Sequence, residues 1–323
     1  MRSTGDRSAR VRTFRFRAEA RQREYRANVL RAGWAEHEHW LDLEAVEAGR
    51  NFVVPQAHAA ARARAARGKG VGERTFVNML SSQAMCFNVF APLACDLTLA
   101  AGVMKAFIPG ITRVHSIEFE YTPAIEIFRD QTGQGCVDCD LLLDIEVDGG
   151  VRGLVAIETK FVEPEFSICG FRKSGRAAKG LAVCDEEVPV RDDHSACLYS
   201  SRKGYLYWDQ TRGLHTLSPA ALAPTGCPFG STEWQLWVNH TLVHAEASRR
   251  RAERAMFVVC APQQNEALLG DGVLDRFRGR LANPTTFAFI ALDDLLDAIA
   301  RATADKPLLQ SWSERLLARY GNI

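Results

Sequence analysis

The sequence predicts an α/β protein in which a mixed central sheet is flanked by helices. Three observations carry this. Apolar positions recur at three- and four-residue steps up to about residue 107 and then switch to period two after Pro109-Gly110. Two apolar runs flank Asp148-Gly149-Gly150, whose glycines supply the positive φ angles of a tight hairpin. Further on, short apolar runs alternate with helical patterns, as in a sheet covered on both faces.

In chain order, residues 15 to 48 read as helix, with Gly33 as a dividing point, and Gly68 to Gly72 as a loop. Val77, Leu80, Ala84 and Phe87 predict an amphipathic helix from Arg74. Pro92 is expected to end it and start a second helix running to about Phe107. Strands are predicted over 114 to 121, Cys139 to Val147 and Val151 to Phe161. Residues 162 to 230 read as an irregular insertion. A helix over Glu233 to Arg251 follows, then strands Ala255 to Ala261 and Thr286 to Leu292, with helices at about 266 to 281, 293 to 303 and 308 to 320. The domain expectation is a basic helical extension over 1–73, a core over 74–262 carrying the 162–230 insertion, and C-terminal elements over 263–323 packed on the core.

Composition excludes some classes. With 47% apolar and 24% charged residues, the chain is a folded globular protein and not a disordered one. The longest apolar stretch, Met85 to Ile111, is interrupted by Asp96 and Lys105 and contains Pro92, so no membrane span is expected. Positive charge at the N-terminus without an apolar h-region argues against secretion, and nine cysteines then read as reduced thiols in the cytoplasm.

Net charge is +1, but residues 1 to 31 carry ten Arg against Asp6, Glu19 and Glu24, a local +7 that leaves the rest at −6. A second basic run spans Arg62 to Arg74. Such stripes either track phosphates or simply solvate a helix face.

The chemistry concentrates on the hairpin. If Val147 pairs with Val151, residues whose numbers sum to 298 face each other, and Glu158 falls opposite Asp140 and Lys160 opposite Asp138. Two opposed carboxylates repel unless a cation lies between them, and oxygen donors favour Mg²⁺. Lys160, beside them, would hold or deprotonate a water, since a desolvated lysine can lower its pKa. An acid-x-Lys triplet alone is expected roughly 0.85 times by chance in a chain of this composition. Its weight comes from the apolar strand delivering it and the acid across the turn. A surface salt-bridge ladder is the competing reading.

Asp140 followed after 18 residues by Glu158-Thr159-Lys160 resembles the signature of the PD-(D/E)XK nuclease superfamily. Within it the chain is similar to a bacterial group of restriction-endonuclease-like proteins, through Ser81-Ser82-Gln83-Ala84-Met85-Cys86-Phe87-Asn88-Val89-Phe90-Ala91-Pro92-Leu93, Ile117-Glu118-Phe119-Glu120-Tyr121-Thr122-Pro123 and Gln235-Leu236-Trp237-Val238-Asn239-His240. Val238 departs from the arginine expected there. The resemblance implies a restriction-endonuclease-like core, with Asp140 and Glu158 as metal ligands, the Thr159 carbonyl as a third and Lys160 positioning the attacking water. It also implies Glu120 as an auxiliary acid and Gln235 as a helix residue facing the site.

The activity implied is Mg²⁺-dependent hydrolysis of DNA, with Mn²⁺ as a substitute, in restriction or defence. DNA is then the partner, with a homodimer left open. Two other readings stand beside it: a DNA-binding protein without turnover, and a protein holding structural zinc or an iron–sulfur cluster through Cys136, Cys139, Cys169, Cys184, His194, Cys197 and Cys227. Buried thiols are the plainer account of these cysteines. Trp237, His240 and His244 share a helix face and read as packing.

Overall fold

Residue alternation along the hairpin sets up two apolar faces, and everything else packs on one or the other. The computed structural model describes residues 4–68, 70–130, 138–173, 183–230 and 232–323, with residues 4–12, 172, 173, 183 and 185 in backbone only. Five strands, β1 (Ile111–Tyr121), β2 (Cys139–Val147), β3 (Val151–Thr159), β4 (Arg254–Ala261) and β5 (Phe287–Ala291), form one sheet in sequential order. β1, β2 and β3 pair antiparallel, whereas β4 and β5 add in parallel. The sheet is therefore mixed, as predicted.

The hairpin register is Val147↔Val151 through Leu141↔Ile157. Gly149 and Gly150 take φ of 81° and 75° to close the turn. Leu141, Leu143, Val155, Ile157, Val258 and Ile290 belong to one core. That core also includes residues of α1 (Thr4–Tyr25), α3 (Ser82–Cys95), α4 (Leu97–Met104), α6 (Leu292–Thr303) and α7 (Pro307–Tyr320). Leu142, Leu154, Ala156, Phe257 and Val259 face the other way, onto α5 (Trp234–Arg250) and the aromatic side chains of the segment before it. Each large side chain so buried contributes about 1.5–3 kcal/mol. α2 (Pro55–Ala65) packs against α3 in a smaller apolar cluster.

Four helical expectations are corrected. The helix predicted over 15 to 48 stops early: α1 runs into a π-turn, Arg26–Leu30, that Arg31 closes at a left-handed φ of 50°. Gly33 then sits so near Asp42 that a Cβ would collide with its Oδ2, and Asp42 caps a separate short helix, Leu43–Glu47. The helix from Arg74 breaks after Val77, because the Asn78 side chain accepts from Leu80 N at 2.9 Å and Ser81 caps α3 by accepting from Ala84 N.

Pro92 lies inside α3 and does not end it. Proline leaves the carbonyl four residues back, that of Asn88, without its helical donor. The Trp312 indole N–H supplies one at 2.9 Å. The break falls at Asp96, which caps α4. The helix expected over 266 to 281 is two pieces, Glu266–Leu269 and Val273–Arg278, parted at Gly272 with φ 68°. The 162–230 segment carries short helices, Leu198–Lys203 and Tyr207–Gly213 among them.

The two ends of the chain meet through Arg319. Its fully buried guanidinium donates to Gln22 Oε1, Asn51 O and Asn51 Oδ1 at 2.6–2.9 Å. Among the described residues no single helix is long and apolar enough to cross a membrane, and α3 and α4, which pass only as a pair, are bent by 118°.

Candidate active site

β3 leaves its ladder with β2 at Ile157 and delivers Glu158, Thr159 and Lys160 beside β4, where Lys160 N donates to Cys260 O at 2.9 Å. Glu158, 3% exposed, is turned toward α5. Its Oε1 accepts from Lys160 Nζ at 2.8 Å and Gln235 Nε2 at 2.6 Å, and its Oε2 from Asn239 Nδ2 at 2.8 Å. Gln235 and Asn239 are one helical turn apart, so one face of α5 carries both. Gln235 is itself fixed by Ser167, whose N–H donates to Gln235 Oε1 at 3.0 Å.

Asp140 is locked to the residue between the other two: its Oδ2 accepts from Thr159 N at 2.7 Å and Thr159 Oγ1 at 2.6 Å. Thr159 thus holds Asp140 through its N–H and hydroxyl, whereas the family resemblance implies a role for its carbonyl. Glu120 lies near the end of β1 with a left-handed φ of 50°, between the Phe119↔Leu141 and Tyr121↔Cys139 pairs. It is buried, and its Oε1 accepts from Gln83 Nε2 at 2.6 Å. The Arg64 guanidinium supports that backbone by donating to Phe119 O at 3.2 Å and Glu120 O at 2.8 Å. The structure therefore brings Asp140, Glu158, Thr159 and Lys160 together with Gln235, and sets Glu120 within electrostatic reach of Asp140 and Glu158.

Sequence reasoning missed Asn239, Gln83 and Glu163. Asn239 was within reach, four residues on from Gln235. Glu163 accepts from Ser82 Oγ at 2.6 Å and Phe161 N at 2.7 Å, ties the start of α3 to the end of β3, and adds its charge to the site. Their contacts to Ser82 and to Glu120 span 81 and 37 residues, and no local pattern announces them.

Burial raises the acids. Desolvation, then the Asp140 charge, lifts Glu158 to about 8 against the pull of Lys160. Desolvation and Asp140 lift Glu120 to about 9, opposed by the Gln83 hydrogen bond. Asp140 is raised by burial too, with Lys160 and Thr159 working against it. For Lys160, burial lowers the amine, but Glu158, Glu163 and Asp140 outweigh it and raise the pKa. The expectation of a lowered lysine pKa is corrected accordingly: three carboxyls act on one amine, and the amine is held as a cation.

Excess buried acid of this kind suits a hard divalent ion, whose charge would relieve the repulsion that pushes these carboxyls toward protonation. Among the described residues no three His, Cys, Asp or Glu side chains already surround one point as metal ligands. Cys136 lies outside the described residues. Cys139 is buried in the sheet, and Cys169, Cys184, Cys197 and Cys227 are half-buried in the segment before α5. Trp237 stacks on Phe229 with centroids 4.5 Å apart, and Val238 is buried in the same core, which accounts for an apolar residue there. Of the N-terminal arginines, Arg21, Arg23 and Arg26 bond within the fold, to Gly321 O, Glu38 and Ala32 O.

A sheet that ends in a buried acid–acid–lysine cluster, covered by helices on both faces, is the architecture of a nuclease family. A family profile described as PD-(D/E)XK nuclease superfamily matches residues 4–176 and 230–322. This chain belongs to that superfamily, whose members are generally nucleases using divalent metals. Neither a curated protein nor a solved structure matches it significantly.

Proposed function

We propose that this protein is a Mg²⁺-dependent endonuclease that hydrolyses DNA phosphodiesters, acting in restriction or defence. The observation that carries the reading is the cluster at the end of β3: Lys160 on Glu158, Asp140 on Thr159, and Gln235 and Asn239 closing Glu158 from α5. A surface salt-bridge ladder would leave these groups solvated, whereas Glu158, Thr159 and Lys160 are buried.

In this reading Asp140 and Glu158, with the Thr159 carbonyl, would hold the ion. When bound, Mg²⁺ neutralises charge developing on the phosphate and lowers the pKa of water. Lys160, kept charged by its acidic neighbours, orients the attacking water through its N–H groups and offsets negative charge in the transition state. Gln235 and Asn239 fix the Glu158 carboxylate, so that it need not reorganise. Glu120, which burial and the Asp140 charge keep protonated near neutral pH, is the auxiliary acid. The substrate would enter over the cavity of about 690 Å³ lined by Arg64, Arg67 and Ile117–Thr122, where Arg67 would meet a phosphate.

Incubation of the purified chain with supercoiled and linear DNA is the direct test. Cleavage with Mg²⁺ or Mn²⁺, and none in EDTA, is expected. Binding without cleavage under every metal condition would move the reading to a DNA-binding protein without turnover.

A further inference from the structure

Four of the chain's nine cysteines, Cys169, Cys184, Cys197 and Cys227, lie in the segment before α5 and take no part in the acidic site. All four are half-buried, and the Cys227 sulfur is within electrostatic reach of the other three. Cys184, Cys197 and Cys227 pack against the apolar core on the α5 side of the sheet. The other described thiols are placed differently: Cys86, Cys139 and Cys260 are buried in the core, and Cys95 is exposed.

The backbone joins one pair of the four. Cys184 sits in a π-turn, Val183–Glu187, and Cys227 immediately precedes a 3₁₀ turn, Pro228–Gly230. The Cys227 N–H donates to Cys184 O at 2.5 Å. A carbonyl oxygen lies about 2.4 Å from its own Cα, and an amide nitrogen about 1.5 Å from its own. With this hydrogen bond between them, the two Cα atoms are at most about 6.4 Å apart, inside the roughly 4.4–6.8 Å that a disulfide spans. Among the described residues no group of thiols is arranged as metal ligands, so the chemistry open to two adjacent sulfurs is a bond between them.

We infer that Cys184 and Cys227 form a reversible disulfide, a redox-modified site that closes the 42 residues between them into a covalent loop. With hydrogen peroxide as oxidant the step balances. Two S–H bonds and the O–O bond break, one S–S bond forms, each sulfur gives up one electron, and the two oxygens leave as two waters that carry the thiol protons. A dithiol reductant reverses it. Burial, then the Cys197, Cys169 and Cys184 sulfurs, raises the Cys227 thiol, which slows oxidation and keeps the pair reduced under brief exposure. The bond acts toward α5. Phe229, in the turn after Cys227, is fully buried and stacks on Trp237, which lies between Gln235 and Asn239 on that helix. Tying this turn to the 183–187 turn restrains the start of the helix that holds Glu158.

The inference stands independently of the nuclease reading, and its test is chemical. The full chain is oxidised with hydrogen peroxide, its remaining thiols are alkylated with iodoacetamide under denaturation, and a digest made without reductant is mapped by mass spectrometry. A loss of two alkylatable thiols is expected, with the Cys184 and Cys227 peptides recovered as one linked species that dithiothreitol separates. Cys184→Ser is expected to return Cys227 as an alkylated thiol, and Cys95→Ser to change nothing. Oxidation in urea is the control, since pairing there is set by chance encounters of the thiols. Cys227 that alkylates as fully after oxidation as before, that links to Cys169 or Cys197 instead, or that links to Cys184 no more in the folded chain than in urea would overturn the assignment. The wild-type map decides by itself, so a variant that fails to fold leaves the answer intact.

Discussion

Helix α5 and strand β3 run between two buried polar clusters of opposite chemistry. Near the start of α5, Gln235 and Asn239 close on Glu158 among acids that burial drives up in pKa. One to two turns on, His240 and His244 are bases that burial drives down. The same low-dielectric core thus acts with opposite sign on the two ends, because in each case it penalises the charged form. The acidic end is relieved by one amine, Lys160, which stays charged. At the other end, burial keeps the His240 and His244 imidazoles neutral. A protein built this way places its excess charge at one end of the sheet and its neutral imidazoles at the other.

The sharpest break of this contrast is at Lys160. Removing the amine held by Glu158, Glu163 and Asp140 should abolish reaction without removing a ground-state contact to DNA. Lys160→Ala is expected to lower the cleavage rate by about 10³-fold while changing DNA affinity by less than about threefold. Asp140→Ala should cost a similar factor by weakening the ion, with excess Mn²⁺ restoring part of the rate there and none in Lys160→Ala. Single-turnover cleavage and filter binding read the two quantities, and a Lys160→Ala enzyme as fast as wild type would remove the proposed site.

The next effect is on stability, and its sign follows from the raised acids. Glu158 and Glu120 titrate at about 8 and 9 in the fold against an ordinary value of 4.5, so between these values the native state holds more protons than the unfolded chain. Stability is then fully present below about pH 4.5 from these groups and is lost as pH rises through 8 to 9. In EDTA, the unfolding free energy from this end should fall by at least several kcal/mol between about pH 5 and 9. Mg²⁺ should flatten the decline, since an ion replaces the protons. Urea melts at fixed temperature across that range, on wild type and Glu158→Gln, give both slopes; a wild-type curve in EDTA that is level or rising would contradict the account.

What could be read in the sequence was what local pattern determines. The Asp-Gly-Gly turn fixed the hairpin register one residue at a time, and the register carried Asp140 toward the end of β3 where Glu158 and Lys160 emerge. The order and most limits of β2, β4, β5, α5, α6 and α7 followed from apolar period alone. Long-range partners were out of reach. Pro92 is tolerated in α3 because an indole 220 residues further on bonds the carbonyl that proline orphans. The helical segment divided at Gly33 is shorter on both sides than expected, and the helix predicted around Asn78 breaks, where Asp42, Asn78 and Ser81 bond the backbone locally. The charge state of Lys160 could not be had from one strand either: desolvation alone predicts a lowered amine, and only the sum over Glu158, Glu163 and Asp140 reverses it. His240 and His244 read correctly as a packed face, but the proton on His240 Nε2 is set by Thr286, whose hydroxyl already donates to Asn283 O in another segment.

The smallest effect is at the imidazole end, and it should have the opposite slope. His244 titrates at about 4 in the fold against an ordinary 6.5, so between these values the unfolded chain binds the extra proton. Its contribution to stability is complete above about pH 6.5 and declines as pH falls through 4, the reverse of the carboxyl end. Replacing it by Gln removes the proton-linked term without opening a large void, so His244→Gln should flatten the acid limb by on the order of 1 to 2 kcal/mol while leaving the alkaline limb in EDTA unchanged. Glu158→Gln should do the converse. If His244→Gln alters the alkaline limb as much as the acid one, the two clusters are coupled through α5 and do not titrate as separate ends of the sheet. If it alters neither, His244 is not held neutral by burial, and its Nε2 is solvated in the folded protein.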